Sequence, residues 1–172
     1  MSMTEFLQAA ATFGSVELTV IVSVVLSGVL VLMKRVREVI WLNITIYGGV
    51  ATNFMLKLIV GRERPGEERM IEAFGFSFEM ESYSFPSGHT MRATILALVV
   101  GYVLFRFVLK TGAMRLVAGA ALLFVVASVA TSRVYFDYHF VSDAIVAVLA
   151  AVVFFAAMLW TKRFAENRVK MA

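Results

Sequence analysis

Apolar residues run along this chain in five long blocks, and most of the charge is gathered between them. About 20 consecutive apolar residues are needed for a helix to cross a bilayer. The blocks therefore predict five spans, near Val16–Met33, Val39–Val60, Thr90–Leu109, Met114–Ser132 and Val141–Trp160. The connections near 34–38 and 110–113 are short, which suits antiparallel pairs of helices. Ahead of the first block, Thr4–Thr12 sets Phe6, Leu7 and Ala10 on one face, the pattern of a short interfacial helix. Trp41, Tyr102 and Trp160 fall toward span ends, where aromatic side chains gather at membrane interfaces. One long segment, 61–89, breaks the series. Its Phe74, Phe76, Phe78 and Met80 alternate with other residues, as in an extended edge resting on the interface or a lid that contacts lipid.

Composition supports this reading. Hydrophobic residues make up 60% of the 172 positions and charged residues 16%, against roughly 45–50% and 25% in soluble domains. Mean hydropathy is +0.85. A chain this short cannot bury so much apolar surface in a water-facing fold, and 13% aromatic content excludes disorder. The absence of cysteine excludes disulfide scaffolds, thiolate metal sites and cysteine nucleophiles. The expected architecture is all-α: one membrane-embedded bundle over 1–172, with five spans and a short N-terminal helix.

A net charge of +4 raises the question of nucleic acid, and the positions of the charges answer it. Lys34, Arg35 and Arg37 lie between the first two spans. Arg106, Lys110 and Arg115 lie around the junction of the third and fourth, and Lys162, Arg163, Arg168 and Lys170 follow the fifth. Three, three and four make ten of the sixteen basic residues on one side. The positive-inside rule assigns that side to the cytoplasm, so the charge is topological and no nucleic-acid partner is expected. Lys57, Arg62, Arg64, Arg69, Arg92 and Arg133 fall toward the outward surface, with Glu63, Glu67, Glu68, Glu72, Glu79 and Glu81 in the long segment. The first fifteen residues lack the basic start and apolar run of a signal peptide. No internal repeat is visible.

The rare residues carry the chemistry. The chain has two prolines, Pro65 and Pro86, and two histidines, His89 and His139. All four sit at outward span ends beside cations, and ionisable groups at membrane depth are functional candidates by default. Lys57 and Arg64 are seven residues apart, two helical turns, and share a face; taken singly, Lys57 could snorkel to the interface and Arg64 could simply flank the span. Pro86-Ser87-Gly88-His89 opens the third span. Ser87 suits an N-cap, Gly88 lets backbone approach a ligand, and the free N–H groups of a helix start attract anions. His89 then stands in the first turn, placed to donate a proton, though a plain cap is the simpler reading of this motif alone. Arg133 closes the fourth span while His139 and Asp143 open the fifth. At i,i+4 spacing the carboxylate can hold one ring nitrogen and fix the tautomer, or merely cap the helix. Together the clusters set three cations, two histidines and one carboxylate at one end of a bundle, where a phosphate could be held and attacked.

Those residues resemble the three signature motifs of the type 2 phosphatidic acid phosphatase superfamily: Lys57-x6-Arg64-Pro65, Pro86-Ser87-Gly88-His89, and Ser132-Arg133-x5-His139-x3-Asp143. Order and internal spacing agree without a gap across 57–143. The chain is similar to the small bacterial membrane members, among them phosphatidylglycerophosphate and undecaprenyl pyrophosphate phosphatases. The resemblance implies that His139 is the nucleophile, forming a phosphohistidine, with Asp143 as its orienter. It implies that His89 is the general acid and later the activator of water. Lys57, Arg64, Ser87, Gly88 and Arg133 would bind phosphate, and the cations would supply the charge that a metal supplies elsewhere. No metal and no cofactor is implied. The partner would be a lipid phosphate or pyrophosphate in the bacterial plasma membrane, reached from the outer leaflet, with undecaprenyl pyrophosphate ahead of phosphatidylglycerophosphate and phosphatidate.

The chain departs from the family pattern in three places. Only two spans precede the first motif where membrane members typically have a further one, so the chain reads either as a natural short form or as one from which a first span has been removed. Asp137 replaces a small residue near the phosphate, and the usual glycine after Asp143 is absent. Vanadium haloperoxidases share such an anion site but are soluble and much longer. A non-catalytic scaffold with a vestigial site would be expected to have lost one of these groups. Arg62, Arg92 and the glutamates of 63–81 stand close enough to tune substrate choice, with no role that sequence assigns.

Overall fold

The structure, a computed structural model, describes residues 2–65, 71–73, 76–78 and 83–171, with the backbone alone at 71–73, 76–78 and 169–171. Six helices carry almost all of it: α1 Met3–Ala11, α2 Val16–Leu32, α3 Val36–Val60, α4 Gly88–Val103, α5 Gly112–Tyr135 and α6 Val141–Met171. Four of the six starts are capped by the side chain of the N-cap residue. Ser2 and Glu5 form a reciprocal capping box on α1. Ser15, Ser87 and Thr111 accept a backbone N–H at the starts of α2, α4 and α5. Gly61 ends α3 in the left-handed region at φ 57°, where its N–H closes back on the Lys57 carbonyl at 2.9 Å.

Four helices are individually long and apolar enough to cross a membrane: α3, α4 with the π-helical turn Leu104–Val108 that extends it, α5 and α6. The predicted first span differs from the other four. α2 has only 17 residues, about 25 Å of helix. It reaches span length only together with α1 and the 3-10 turn Thr12–Gly14, as a pair bent by 54°. α1 packs on α5 through buried Leu7 and Ala10, and the rings of Phe6 and Phe124 lie 6.1 Å apart.

The bundle exposes many large apolar side chains and buries polar groups beside its apolar core. Ile21, Val25, Leu116, Val117, Leu123, Leu149 and Val153 are all more than half exposed. Inside, Thr45 and Thr94 donate to carbonyls one turn back at 2.8 and 2.7 Å, and Ser23 meets the Tyr47 hydroxyl at 2.7 Å. Lipid makes the first arrangement free of cost, and the second follows because no water reaches the interior polar groups. α4 is the central helix, packed against α3, α5 and α6. Met91, Ile95 and Val99 meet Leu42 and Ile46 of α3 and Ala147 and Ala151 of α6 in the core.

Trp41 is not an interfacial anchor. It is 7% exposed, donates to the Met158 carbonyl at 2.9 Å and packs on Tyr102 at 4.8 Å between ring centres. Beside them Lys162 of α6 lies over both rings and pairs with Glu38 of α3 at 2.6 Å. Trp160, by contrast, is 67% exposed and stacks on Phe164.

Within 61–89 two short stretches of the described backbone are extended, both in the part where apolar residues alternate. Ile71–Ala73 (β1) and Phe76–Phe78 (β2) pair antiparallel, Ile71 opposite Phe78 and Ala73 opposite Phe76. Phe74, Met80, Glu67, Glu68, Arg69, Glu79 and Glu81 lie outside the described residues.

Candidate active site

The start of α4, the turn between α5 and α6, and the exit of α3 meet at one end of the bundle. The turn is built by Asp137, whose φ of 54° is left-handed, a conformation that aspartate tolerates better than most residues. The chain thereby folds back so that the N–H groups of Tyr138 and His139 both donate to the Arg133 carbonyl, at 3.0 and 3.2 Å. Asp137 itself is exposed. Ser87 is fully buried at the cap of α4, and its N–H donates to the Asp143 carbonyl at 3.1 Å. That bond locks the second and third motifs together.

His139 is 4% exposed and Asp143 is fully buried. His139 Nδ1 stands 3.7 Å from Asp143 Oδ2, longer than a hydrogen bond, and this nitrogen has no hydrogen-bond partner. The carboxylate is engaged elsewhere. Oδ1 accepts from Arg62 at 2.8 Å, and Oδ2 accepts from the Ser84 hydroxyl and, at 3.0 Å, from the Phe140 N–H. Asp143 therefore caps the start of α6 through the Phe140 N–H, as one reading of the i,i+4 pair expects, while the hydrogen bond to His139 that the other reading expects is not formed in this structure. Burial lowers the His139 pKa to about 2, helped by the positive charges of Arg64, Lys57 and Arg133. The imidazole is neutral throughout the physiological range, with its lone pair available.

The cations converge as the motif spacing implied. Arg64 donates to the Tyr138 carbonyl at 3.0 Å, beside His139. Lys57 reaches the Tyr83 carbonyl, and a Cβ on Gly88 would meet its Cε at 3.8 Å, so Lys57 stands against the α4 start. Arg133 is 8% exposed, with its guanidinium 4.4 Å above the Tyr138 ring. His89 occupies the first turn of α4, and its Nδ1 lies 3.4 Å from Nη2 of Arg92. All eight residues expected from the motifs thus gather at this end. Among the described residues no three His, Asp or Glu side chains converge as a metal site.

Sequence reasoning missed two partners of Asp143. Ser84 precedes the second motif by two residues in a stretch with no recognisable pattern. Arg62 stood among the outward cations, but nothing marked it as the one aimed at a carboxylate rather than at an anion. It also lies 4.0 Å over the Phe140 ring and donates to Ser142 at 2.8 Å.

Two apolar grooves run along α5 and α6, and none of the eight motif residues lines either. One, of about 440 Å³, lies between α5 and α6 and is lined by Val134, Val141 and Ala144 among others. The other, of about 560 Å³, continues toward the opposite end past Phe105 and Phe155. Val148 borders both.

The PAP2 superfamily model matches residues 38–166, which contain every motif residue. Among solved structures, the chain is similar to a transmembrane PAP2 type phosphatidylglycerolphosphate phosphatase from Bacillus subtilis, at a TM-score of 0.79 and 21% identity, covering 96% of this chain and 77% of that one. It is also similar to LpxE from Aquifex aeolicus, at 0.66 and 22%, covering 91% and 85%. Comparison with curated protein sequences gave no match.

Proposed function

Because the chain belongs to the PAP2 superfamily, we propose that it is a metal-independent phosphohydrolase of lipid phosphates or pyrophosphates, acting through a phosphohistidine at His139. The observation that carries this reading is the buried, neutral His139 beside Asp143, faced by Lys57, Arg64 and Arg133. A neutral imidazole is nucleophilic, and three fixed cations favour the dianionic phosphoryl group and its transition state.

Nε2 of His139 attacks phosphorus with its lone pair, and the bond from phosphorus to the leaving lipid oxygen breaks. His89 serves that oxygen through Nε2–H, as a hydrogen bond to a leaving phosphate or, in its protonated form, by proton transfer to a leaving alkoxide. Water then attacks the phosphohistidine and passes a proton to His89, and the P–N bond electrons return to Nε2. Approach of Asp143 to Nδ1 would stabilise the charge that develops on the ring in the first step. Ser87 and the Gly88 N–H at the α4 start add donors for the phosphate oxygens.

The groove between α5 and α6 supports a lipid substrate, since its apolar walls include Val134 and Val141, neighbours in the chain of the turn that carries His139. The excess of Lys and Arg at the far end supports an outward-facing site in a bacterial plasma membrane, with the C-terminus in the cytoplasm. Undecaprenyl pyrophosphate is the preferred substrate, with phosphatidylglycerophosphate and phosphatidate as alternatives. The test is phosphate release by the purified chain in detergent with EDTA present, offering the three lipids in parallel. Turnover that survives the chelator and disappears in His139→Ala supports the proposal. Release that depends on added metal, or that persists without His139, overturns it.

A further inference from the structure

Arg92 belongs to none of the three motifs, yet its guanidinium bridges the N-terminal turn and the histidine expected to serve the leaving group. Nε donates to the Gly14 carbonyl at 2.8 Å, and Nη2 lies 3.4 Å from His89 Nδ1. Gly14 sits so close to His89 that an added Cβ would overlap the His89 backbone. Glu17, at the start of α2, contributes an attractive charge at Arg92. Arg92 is therefore anchored at the Gly14 carbonyl on one side, with the charge of Glu17 acting on it, and faces His89 on the other. It is fixed rather than free to swing away.

The chemical consequence follows from what a guanidinium is. It carries donors and no acceptor, and it does not give up its charge. It meets Nδ1 favourably only when that nitrogen bears a lone pair, which places the single ring proton of neutral His89 on Nε2. A second proton, on Nδ1, would face a fixed cation at contact distance. Among the described residues, the other groups that act electrostatically on His89, namely Arg133, His139 and Arg64, supply no negative charge to offset this.

Leaving groups differ in how much they need that second proton. An alkoxide leaving from a phosphate monoester must be protonated as its bond breaks. The terminal oxygen of a leaving lipid phosphate ionises with a pKa of about 6 and departs with only a hydrogen bond from Nε2–H. We propose that Arg92 is a positioning residue for His89 that biases this site toward lipid pyrophosphates over lipid monophosphates. The inference rests on the phosphohydrolase reading above and adds a residue that decides between its substrates.

The experiment compares release of phosphate from one prenyl chain carried as the pyrophosphate and as the monophosphate, at pH 7, by the full chain and three variants. The native chain favours the pyrophosphate. Arg92→Gln, which keeps donors for Gly14 but removes the charge, narrows the ratio by roughly tenfold, the effect of one unit of proton affinity on His89. Arg92→Lys restores it. Glu17→Gln leaves Arg92 in place but removes its counter-charge, and widens the ratio. A purely structural defect would slow both substrates alike and leave the ratio unmoved, and that result in Arg92→Gln and Glu17→Gln overturns the inference while phosphohydrolase activity stands. Failure of the native chain on both substrates would instead remove the underlying function, and this inference with it.

Discussion

Nδ1 of His139 lies 3.7 Å from Oδ2 of Asp143 with both side chains buried, and that nitrogen is the one buried side-chain polar atom without a partner among the described residues. A buried, unsatisfied polar atom costs about 1–3 kcal/mol. The cost is recovered when a small movement brings carboxylate and ring together, as positive charge develops on the imidazole during phosphoryl transfer. Asp143→Asn keeps an oxygen for the Phe140 N–H but loses the charge. The expected result is a loss of about 10²–10⁴-fold in kcat with a nearly unchanged melting temperature. Asp143→Ala also removes the helix cap and lowers stability by a further ~1 kcal/mol. Steady-state kinetics beside thermal melts of the two variants separate orienter from cap.

Two arginines of one short segment are expected to behave differently. Arg62 is spent on Asp143, with its side chain 37% exposed, whereas Arg64 bears on His139 from the Tyr138 carbonyl. Arg64→Ala is expected to cost about 10²–10³-fold in kcat/KM, the loss of a charge-stabilising donor. Arg62→Ala leaves Asp143 its Ser84 and Phe140 partners. It is expected to cost less than about tenfold, with a stability change of about 0–1 kcal/mol. Equal losses would show that the pairing with Asp143 is not what Arg62 is for.

The spans and the three motifs were legible from the sequence because both rest on local signals: apolar block length for the spans, and fixed spacing of rare residues for the motifs. What was not legible depends on contacts between distant segments. α2 is too short alone and reaches span length only as a bent pair with α1 and the Thr12–Gly14 turn, whose place is set by packing on α5. Trp41 reads as a boundary aromatic by position, but its indole N–H finds a carbonyl 117 residues away. Arg62 and Arg92 looked alike as outward cations. One meets a carboxylate on α6 and the other a carbonyl in the N-terminal turn, and neither pairing leaves a trace in spacing.

Protonation of His139 is disfavoured by the fold. Its pKa falls from 6.5 to about 2 through burial and nearby cations, so between those values the unfolded chain binds more protons than the folded one. Stability from this group is complete above pH 6.5 and is lost as pH falls, by up to ~1.4 kcal/mol per unit. His139→Asn removes that dependence. Melting curves of the native chain and the variant, taken from pH 7 down to pH 5 without phosphate, are expected to shift steadily in the variant's favour. A constant difference would mean that His139 is not held neutral.

At the far end, Lys162 and Glu38 form a largely buried pair, 11% and 15% exposed, roofed by Trp41 and Tyr102. Removing one partner strands a charge. Lys162→Ala is therefore expected to lower stability by ~3–5 kcal/mol, while Lys162→Met with Glu38→Gln costs much less. Activity per folded molecule, measured well below the melting temperature, is expected to be unchanged in the double variant, since this cluster lies at the end remote from His139.

The most direct measurement is to trap the covalent enzyme. The chain is mixed with lipid pyrophosphate labelled in its terminal phosphate, quenched within milliseconds in alkali, where phosphohistidine survives, and digested for peptide mapping. Label on the peptide containing His139, formed with EDTA present and absent in His139→Ala, is the expected result. Turnover under the same conditions with no labelled histidine, or with label at His89, would contradict the assignment of His139 as the nucleophile.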